Sequence, residues 1–379
     1  MGSAGPRFHS LVTLFAIALV VTASFRLKAE TTGSERIFRL KAETTGSEGI
    51  FRLKAEATES NGPFRLTAFA EATALKKAEA AELEGSFRLL PPRESRGFRL
   101  QAEGHLRVSG TRFLNPDGSV FPWRGITAFR LLEFVAHGRE AEADAYLKWA
   151  ASKKLTVVRV LAMADGIFQL SPTDGEQALP RLLEIAKRHG MHVEVVALTG
   201  TAVIKVDIPR FVTAIGAICA RYPNALLELA NEPGHPTQSA SVHDPVFMRS
   251  LLKLVPTTVP TALGSVEYDD RFAAGQYVTW HAPRTRDWPE EIRKGAALVK
   301  KFKKPVISDE PIGAADAAVP GRRDDNPERF RRAGAISRRA GLGATFHYDG
   351  GVQAKPLTRI ELACLDAWLA GLAEVPPGR

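Results

Sequence analysis

The chain has 379 residues, 51 Lys and Arg against 42 Asp and Glu, a formal charge of +9 and two cysteines. Two cysteines exclude a disulfide framework, and a chain of this length buries enough surface to fold without one. The basic excess does not indicate nucleic acid. It is concentrated in a repeated leader and in RRDDNPERFRRAGAISRRA, where arginines alternate with acids as on a solvated helix face, and no aromatic-and-basic module accompanies it.

In chain order, Arg7 and His9 precede the apolar run LVTLFAIALVVTA, which small residues follow. This reads as an export signal over residues 1–23, cleaved after Ala23, with a periplasmic or extracellular destination. The run is too short for a comfortable membrane span, which needs about 20 residues, so no stable span is expected once the signal is removed; a retained anchor is the alternative. Residues 24–103 then repeat Phe-Arg-Leu at Phe25, Phe38, Phe51, Phe64, Phe87 and Phe98. Each of the first copies carries Thr-Thr-Gly-Ser, which breaks a helix, and too few apolar residues for a core, so the leader is expected to be disordered or partly helical and to take no part in catalysis.

From Gly104 to the end, short β-rich runs alternate with amphipathic helices, the pattern of βα units around a parallel sheet. A hairpin comes first, with LRVSGTRFLN and SVFPWRG flanking a turn at Asn115-Pro116-Asp117-Gly118. Eight strands are predicted: WRGITAF, LTVVRVLA, HVEVVAL, ALLELA, TALGSV, YVTWHA, PVISDE and GATFHY. Helices fill the gaps except the fifth, EYDDRFAAGQ, which has room for only a turn or so. No Gly-rich phosphate loop follows the first strand, which argues against a doubly wound sheet, and eight units favour a closed (β/α)₈ TIM barrel. Cys219 and Cys364 sit in apolar helical patterns and read as buried thiols.

In such a barrel the active site forms where strands end at the carboxyl-terminal face. Two acids stand there: Glu232 in Asn231-Glu232-Pro233 after the fourth strand, and Glu310 in Asp309-Glu310-Pro311 after the seventh. Cleaving an acetal needs a carboxylic acid to protonate the departing oxygen and a carboxylate facing the oxocarbenium-like carbon, so the pair suits glycoside hydrolysis. An Asn-Glu-Pro tripeptide alone is a weak motif, and either acid by itself could cap a following helix; the conjunction with eight βα units carries the inference.

The hairpin with NPDG and WRG, the strand LTVVRV, and the segments ELANEP and KPVISDEP together resemble the clan of retaining glycoside hydrolases that includes the cellulase family, glycoside hydrolase family five. The resemblance spans roughly residues 106–372. It implies that Glu232 is the acid/base, Glu310 the nucleophile and Asn231 a ligand of the sugar 2-hydroxyl. Arg159 resembles a strand-two arginine that keeps the nucleophile ionised, and His281 a residue placed near both acids; a structural salt bridge and a structural histidine are the alternatives.

The chain departs from the family pattern in three places. Leu198-Thr199-Gly200 stands where a histidine is common, Phe346-His347-Tyr348 where a tryptophan is, and Asp309 where glycine is. An inward Asp309 would raise the pKa of Glu310 by like-charge repulsion.

Flat apolar surfaces for sugar rings are expected from Trp123, Trp280, Trp288 and Tyr348, near predicted strand ends, although each could equally be core. No HExxH, cysteine cluster or EF-hand spacing occurs, so neither metal nor cofactor is expected. The reading is a monomeric, exported retaining glycosidase acting on a β-linked oligo- or polysaccharide or glycoside. Its rival is a catalytically inactive carbohydrate-binding protein on the same barrel.

Overall fold

A computed structural model describes residues 37–45, 50–59, 62–66, 104–311, 324–348 and 352–374. The export signal expected over residues 1–23 lies outside the described residues. The chain divides into two units, 1–99 and 100–379, within a few residues of the change in composition at Gly104.

In the first unit, β1 (Ile37–Thr45), β2 (Ile50–Glu59) and β3 (Gly62–Leu66) form an antiparallel sheet in that order. Repeat copies pair with one another, Phe38 opposite Ala57 and Leu40 opposite Ala55. Over these residues the chain is extended, where the sequence suggested disorder or partial helix; the rest of the leader, 24–36 and 67–103 included, lies outside the described residues. The reason is legible in FRLKAE, where apolar and charged residues alternate with the period of two that suits a strand.

The second unit opens with the hairpin β4 (Arg107–Ser109) and β5 (Arg112–Leu114). Its reversal falls at Gly110, whose φ of 55° glycine adopts without steric cost. The anticipated turn at Asn115–Gly118 also forms, with the Gly118 amide donating to the Asn115 carbonyl at 2.8 Å, but beyond it only Leu114 and Val120 bridge.

Eight parallel strands follow: β6 (Arg124–Thr127), β7 (Val157–Leu161), β8 (His192–Leu198), β9 (Ala225–Ala230), β10 (Thr261–Ala262), β11 (Val278–Trp280), β12 (Val306–Ser308) and β13 (Gly343–Phe346). Each lies within its predicted segment. They pair in the order β10-β9-β8-β7-β6-β13-β12-β11, and a parallel bridge between Ser265 and Thr279 joins the two ends into a ring. This is the (β/α)₈ barrel with an N-terminal hairpin that the sequence pattern predicts.

The intervening helices start where capping chemistry allows. Ser171, Asp207 and Asn326 each accept a backbone N–H at a helix N-terminus with proline in the first turn, and Thr358 and Glu361 form a reciprocal capping box. The fifth gap holds only a short 3₁₀ helix, Asp270–Ala274, as its length predicted. Cys219 and Cys364 are both buried, as their apolar helical settings predicted. Among the described residues no helix is long and apolar enough to cross a membrane.

Strand alternation sorts the barrel side chains into two environments. Val158, Val160, Val193, Val195, Leu227, Val278, Val306, Ala344 and Phe346 face the helices and form the main core. Inside the ring, Val157, Leu226, Ala262, Tyr277 and Ile307 cluster with Leu106, Phe113, Phe121 and Trp123 from the hairpin region. The hairpin therefore plugs the amino-terminal end of the barrel with apolar side chains. Above the plug lies a layer of charge: Arg159, Glu194, Glu228 and Asp309, all fully buried.

The plug is testable. The Phe113 ring lies 5.2 Å from Trp123 and 5.4 Å from Tyr277, so Phe113→Ala should cost about 3–5 kcal/mol in denaturant unfolding. A loss under about 1 kcal/mol would mean that the hairpin does not seal the barrel.

Candidate active site

The site is built by β7, β9, β11, β12 and β13 and the residues that follow them. After β9 the backbone turns sharply, and Glu232 adopts a φ of 43°, a left-handed conformation costly for a residue with a side chain. Two neighbours hold this turn. Gln238 donates from its amide to the carbonyls of Asn231 at 2.6 Å and Leu198 at 3.2 Å. Gly264 has a φ of 142°, and a Cβ there would fall 2.4 Å from the Ala230 carbonyl oxygen and 2.5 Å from Pro233 Cγ.

Glu232 and Glu310 come together. One carboxylate oxygen from each and one ring nitrogen of His281 all lie within 4.8 Å of one another. Glu310 is almost fully buried and carries an arginine on each oxygen: Arg159 Nη1 at 2.6 Å from Oε1 and Arg284 Nη2 at 2.5 Å from Oε2. Arg159 also donates through Nε and Nη2 to Glu228 Oε2, at 3.0 and 2.7 Å, and through Nη2 to Asn231 Oδ1 at 2.8 Å. His281 Nδ1 lies 3.2 Å from Glu232 Oε1 and 3.9 Å from Glu310 Oε2.

The electrostatics follow from these contacts. Burial pushes the Glu310 pKa up, but His281, Arg159 and Arg284 outweigh it and hold the carboxyl well below its usual range. Burial lowers the His281 pKa, and the two glutamates more than reverse this, leaving it raised. Glu232 is pushed up by burial and by Glu310, yet its hydrogen bond to His281 leaves it lowered. His281 Nδ1 is thus placed to donate to Glu232, between two carboxylates that favour the charged form of the ring. His347, 3.8 Å from Glu310 through Nε2, is driven down to about 3 by burial and is neutral.

Of the nine residues singled out from sequence, Glu232, Glu310, Asn231, Arg159 and His281 are brought together. The four aromatics are not. Trp280 points outward between the inward-facing Thr279 and His281, and packs where a Cβ on Gly295 would sit. Tyr348 is likewise outward, stacked on Phe346, with its hydroxyl donating to Asp325. Trp288 packs against Phe330 and donates to Asp324 at 2.7 Å. Trp123 belongs to the plug below the charged layer.

The exposed aromatic near the pair is instead Tyr268, 73% accessible, with its Cδ2 3.0 Å from where a Cβ on Gly234 would lie. Arg284 and His347 also escaped the sequence reading. His347 carried a signal, since it sits two residues beyond the inward Thr345; Arg284, on an irregular loop, carried none.

Two sets of side chains offer metal-binding atoms in close reach, Glu232–His281–Glu310 and Glu228–His281–Asp309. His281 is common to both. Arg159 already neutralises Glu310 and Glu228 by direct ion pairs.

The sequence matches no protein-family profile and no curated protein. Solved structures do match. A protein from Bacteroides vulgatus assigned as a glycoside hydrolase aligns with a TM-score of 0.52 at 17% identity, over 85% of this chain and 70% of that one. A member of glycoside hydrolase family five, subfamily eighteen, from Bifidobacterium longum subsp. infantis aligns at 0.51 and 13% identity, over 67% and 80%. A β-glucanase from Saccharophagus degradans, solved with cellotetraose, aligns at 0.50 and 12% identity, over 75% and 98%. At these identities the likeness shows the fold alone, a (β/α)₈ barrel.

Gly264→Ala should destabilise the protein, because its Cβ would overlap the turn that carries Glu232 and its φ suits glycine alone. A melting temperature unchanged from wild type would show that the turn does not depend on this position. Glu310 contributes stability above the pKa of an unfolded glutamate, about 4.3, and loses it as pH falls through the lower folded value. Glu310→Gln should therefore flatten the acid side of the stability curve in pH-dependent unfolding.

Proposed function

We propose that the barrel is a retaining glycosidase acting on O-glycosidic bonds of a β-linked glycan or glycoside. The observation that carries this reading is the approach of Glu232 and Glu310 within 4.8 Å at one barrel mouth. That spacing suits double displacement, which uses carboxyls about 5–5.5 Å apart, better than inversion, which needs roughly 6.5–9.5 Å for an intervening water. The fold is shared with glycoside hydrolases, including one solved with cellotetraose.

In this mechanism Glu310 attacks the anomeric carbon and forms a glycosyl-enzyme. Arg159, with no exposed surface, stays on Oε1 and keeps the carboxylate ionised. Arg284, whose side chain is 28% exposed, is the partner that yields Oε2 to the sugar. Asn231 Oδ1 is committed to Arg159, which leaves its amide N–H groups as donors to the 2-hydroxyl. Tyr268 supplies the sugar-stacking surface.

The leaving group needs a proton, and in the resting site that proton lies on His281. A bound sugar excludes water from Glu232, whose side chain is otherwise 23% exposed. Desolvation disfavours the imidazolium–carboxylate pair relative to neutral imidazole and carboxylic acid, so the proton passes along the Nδ1–Oε1 hydrogen bond to Glu232. Glu232 then protonates the departing oxygen and afterwards activates water.

The rival reading, a carbohydrate-binding protein without turnover, draws on one observation: both oxygens of Glu310 are already engaged by arginines. The apolar run at residues 11–23 supports export to the periplasm or beyond.

A panel of 2-fluoro glycosides with activated leaving groups tests the mechanism. Mass spectrometry should find the adduct on Glu310, and Glu310→Ala should abolish it. Retained sugar binding with neither adduct nor turnover would select the binding-protein reading. With a substrate whose leaving group needs protonation, His281→Ala should move the alkaline limb of the rate profile to lower pH, because the raised pKa of the His281–Glu232 pair is replaced by that of a lone carboxyl. Tyr268→Ala should raise KM with little change in kcat, and an unchanged KM would remove Tyr268 from the sugar site.

A further inference from the structure

Beneath Glu310 the barrel encloses more acid than base. Glu194, Glu228 and Asp309 are all fully buried, and Arg159 is the cation among them. Neutral donors each satisfy one oxygen: Tyr277 Oη donates to Glu194 Oε1 at 2.8 Å, Thr279 Oγ1 to Glu228 Oε1 at 2.8 Å, and Thr345 Oγ1 to Asp309 Oδ1 at 3.0 Å. Arg159 takes Glu228 Oε2.

That leaves Glu194 Oε2 and Asp309 Oδ2 buried without a donor. The nearest guanidinium nitrogen, Arg159 Nε, is 3.8 Å from Glu194 Oε2, too far for a hydrogen bond. The two carboxyls are within hydrogen-bonding reach of each other. Two neighbouring ionised carboxylates, each with a buried oxygen that no protein group satisfies, would repel, whereas one proton between them satisfies both.

We propose that Glu194 and Asp309 share a single proton in a carboxyl–carboxylate hydrogen bond between Glu194 Oε2 and Asp309 Oδ2, and that this pair is a positioning device for Arg159. The proton removes one negative charge from the layer. Arg159 then faces Glu228 and Glu310 with one shared negative charge beside them in place of two full carboxylates, and Asp309 opposes ionisation of Glu310 less than a full carboxylate would. The other charged and titratable groups facing the pair are Tyr277 and His281 from β11 and its end, Arg159 from β7, Glu228 from β9 and Glu310 beyond β12. Burial pushes the Glu194 carboxyl up to about 8 and Asp309 well above its usual range, as a proton retained through neutral pH requires. The pair itself does not depend on the glycosidase reading; its consequence for Glu310 does.

The test therefore needs no turnover. Infrared difference spectra of the purified full chain at pH 6–7 (about two units above an unperturbed carboxyl) should contain a protonated-carboxyl C=O band that is lost in both Asp309→Asn and Glu194→Gln. The pH dependence of melting supplies a second readout. Unfolded carboxyls release a proton that the pair keeps, so the wild type should lose stability as pH rises from about 4 toward 8. Glu194→Gln should show a shallower fall, the remainder belonging to the raised pKa of His281. Asp309→Asn, whose amide donates to Glu194 in the proton's place, should melt above Asp309→Ala at neutral pH. Absence of the band from the wild type, identical pH slopes in wild type and Glu194→Gln, or a stoichiometric divalent ion in the purified protein by elemental analysis would each overturn the proposal.

Discussion

The guanidinium of Arg159 is the interaction on which the site depends. It sits inside a closed ring of strands with no exposed surface and reaches Glu228 through Nε and Nη2, Asn231 through Nη2 and Glu310 through Nη1. A planar, permanently charged fork can do this; a lysine, with one point charge, cannot hold three acceptors in fixed directions. Removing one partner of such a buried network costs roughly 3–5 kcal/mol, because the remaining charge cannot reach water. The same contacts that stabilise the barrel interior therefore fix the distance between the strand-four and strand-seven glutamates.

Around this hub the barrel is stratified. Apolar side chains from the hairpin close the amino-terminal end, the charged layer occupies the middle, and the titratable groups Glu232, His281, Glu310 and His347 line the other end. Each layer conditions the next. The plug closes the charged layer from below, and Arg159 within that layer helps to hold Glu310 ionised against its burial. At the mouth, only partial exposure lets the charge on Glu232 respond to what covers it. Strain appears at this mouth, in the left-handed backbone of Glu232, where surrounding structure has to enforce a conformation that the residue disfavours.

The fate of the aromatic residues shows where local reading stops. Trp280, Trp288 and Tyr348 stand at strand ends or just beyond, where a sugar platform would be sought, but proximity in the chain to a strand end says nothing about which side of the sheet a side chain takes. Thr279 and His281 point inward through their contacts with Glu228 and Glu232, so Trp280 between them must face the helices. The same parity turns Phe346 and Tyr348 outward and His347 inward. Tyr268 reaches the mouth from an irregular loop, where parity offers no guide.

What the sequence determined by itself was everything local and periodic. Eight apolar runs separated by amphipathic helices imply a (β/α)₈ ring, and two glutamates that directly follow such runs must emerge at the same end of it, because all eight strands are parallel. The period-two alternation of FRLKAE in the leader is local in the same sense. Tertiary structure alone decided the charge balance. Arg284 on a loop, and the convergence of Glu194, Glu228 and Asp309 from three different strands, depend on the stagger of those strands around the ring. No single segment encodes that stagger, so neither the two-arginine clamp on Glu310 nor the surplus of buried carboxyls beneath it could be read before the barrel closed.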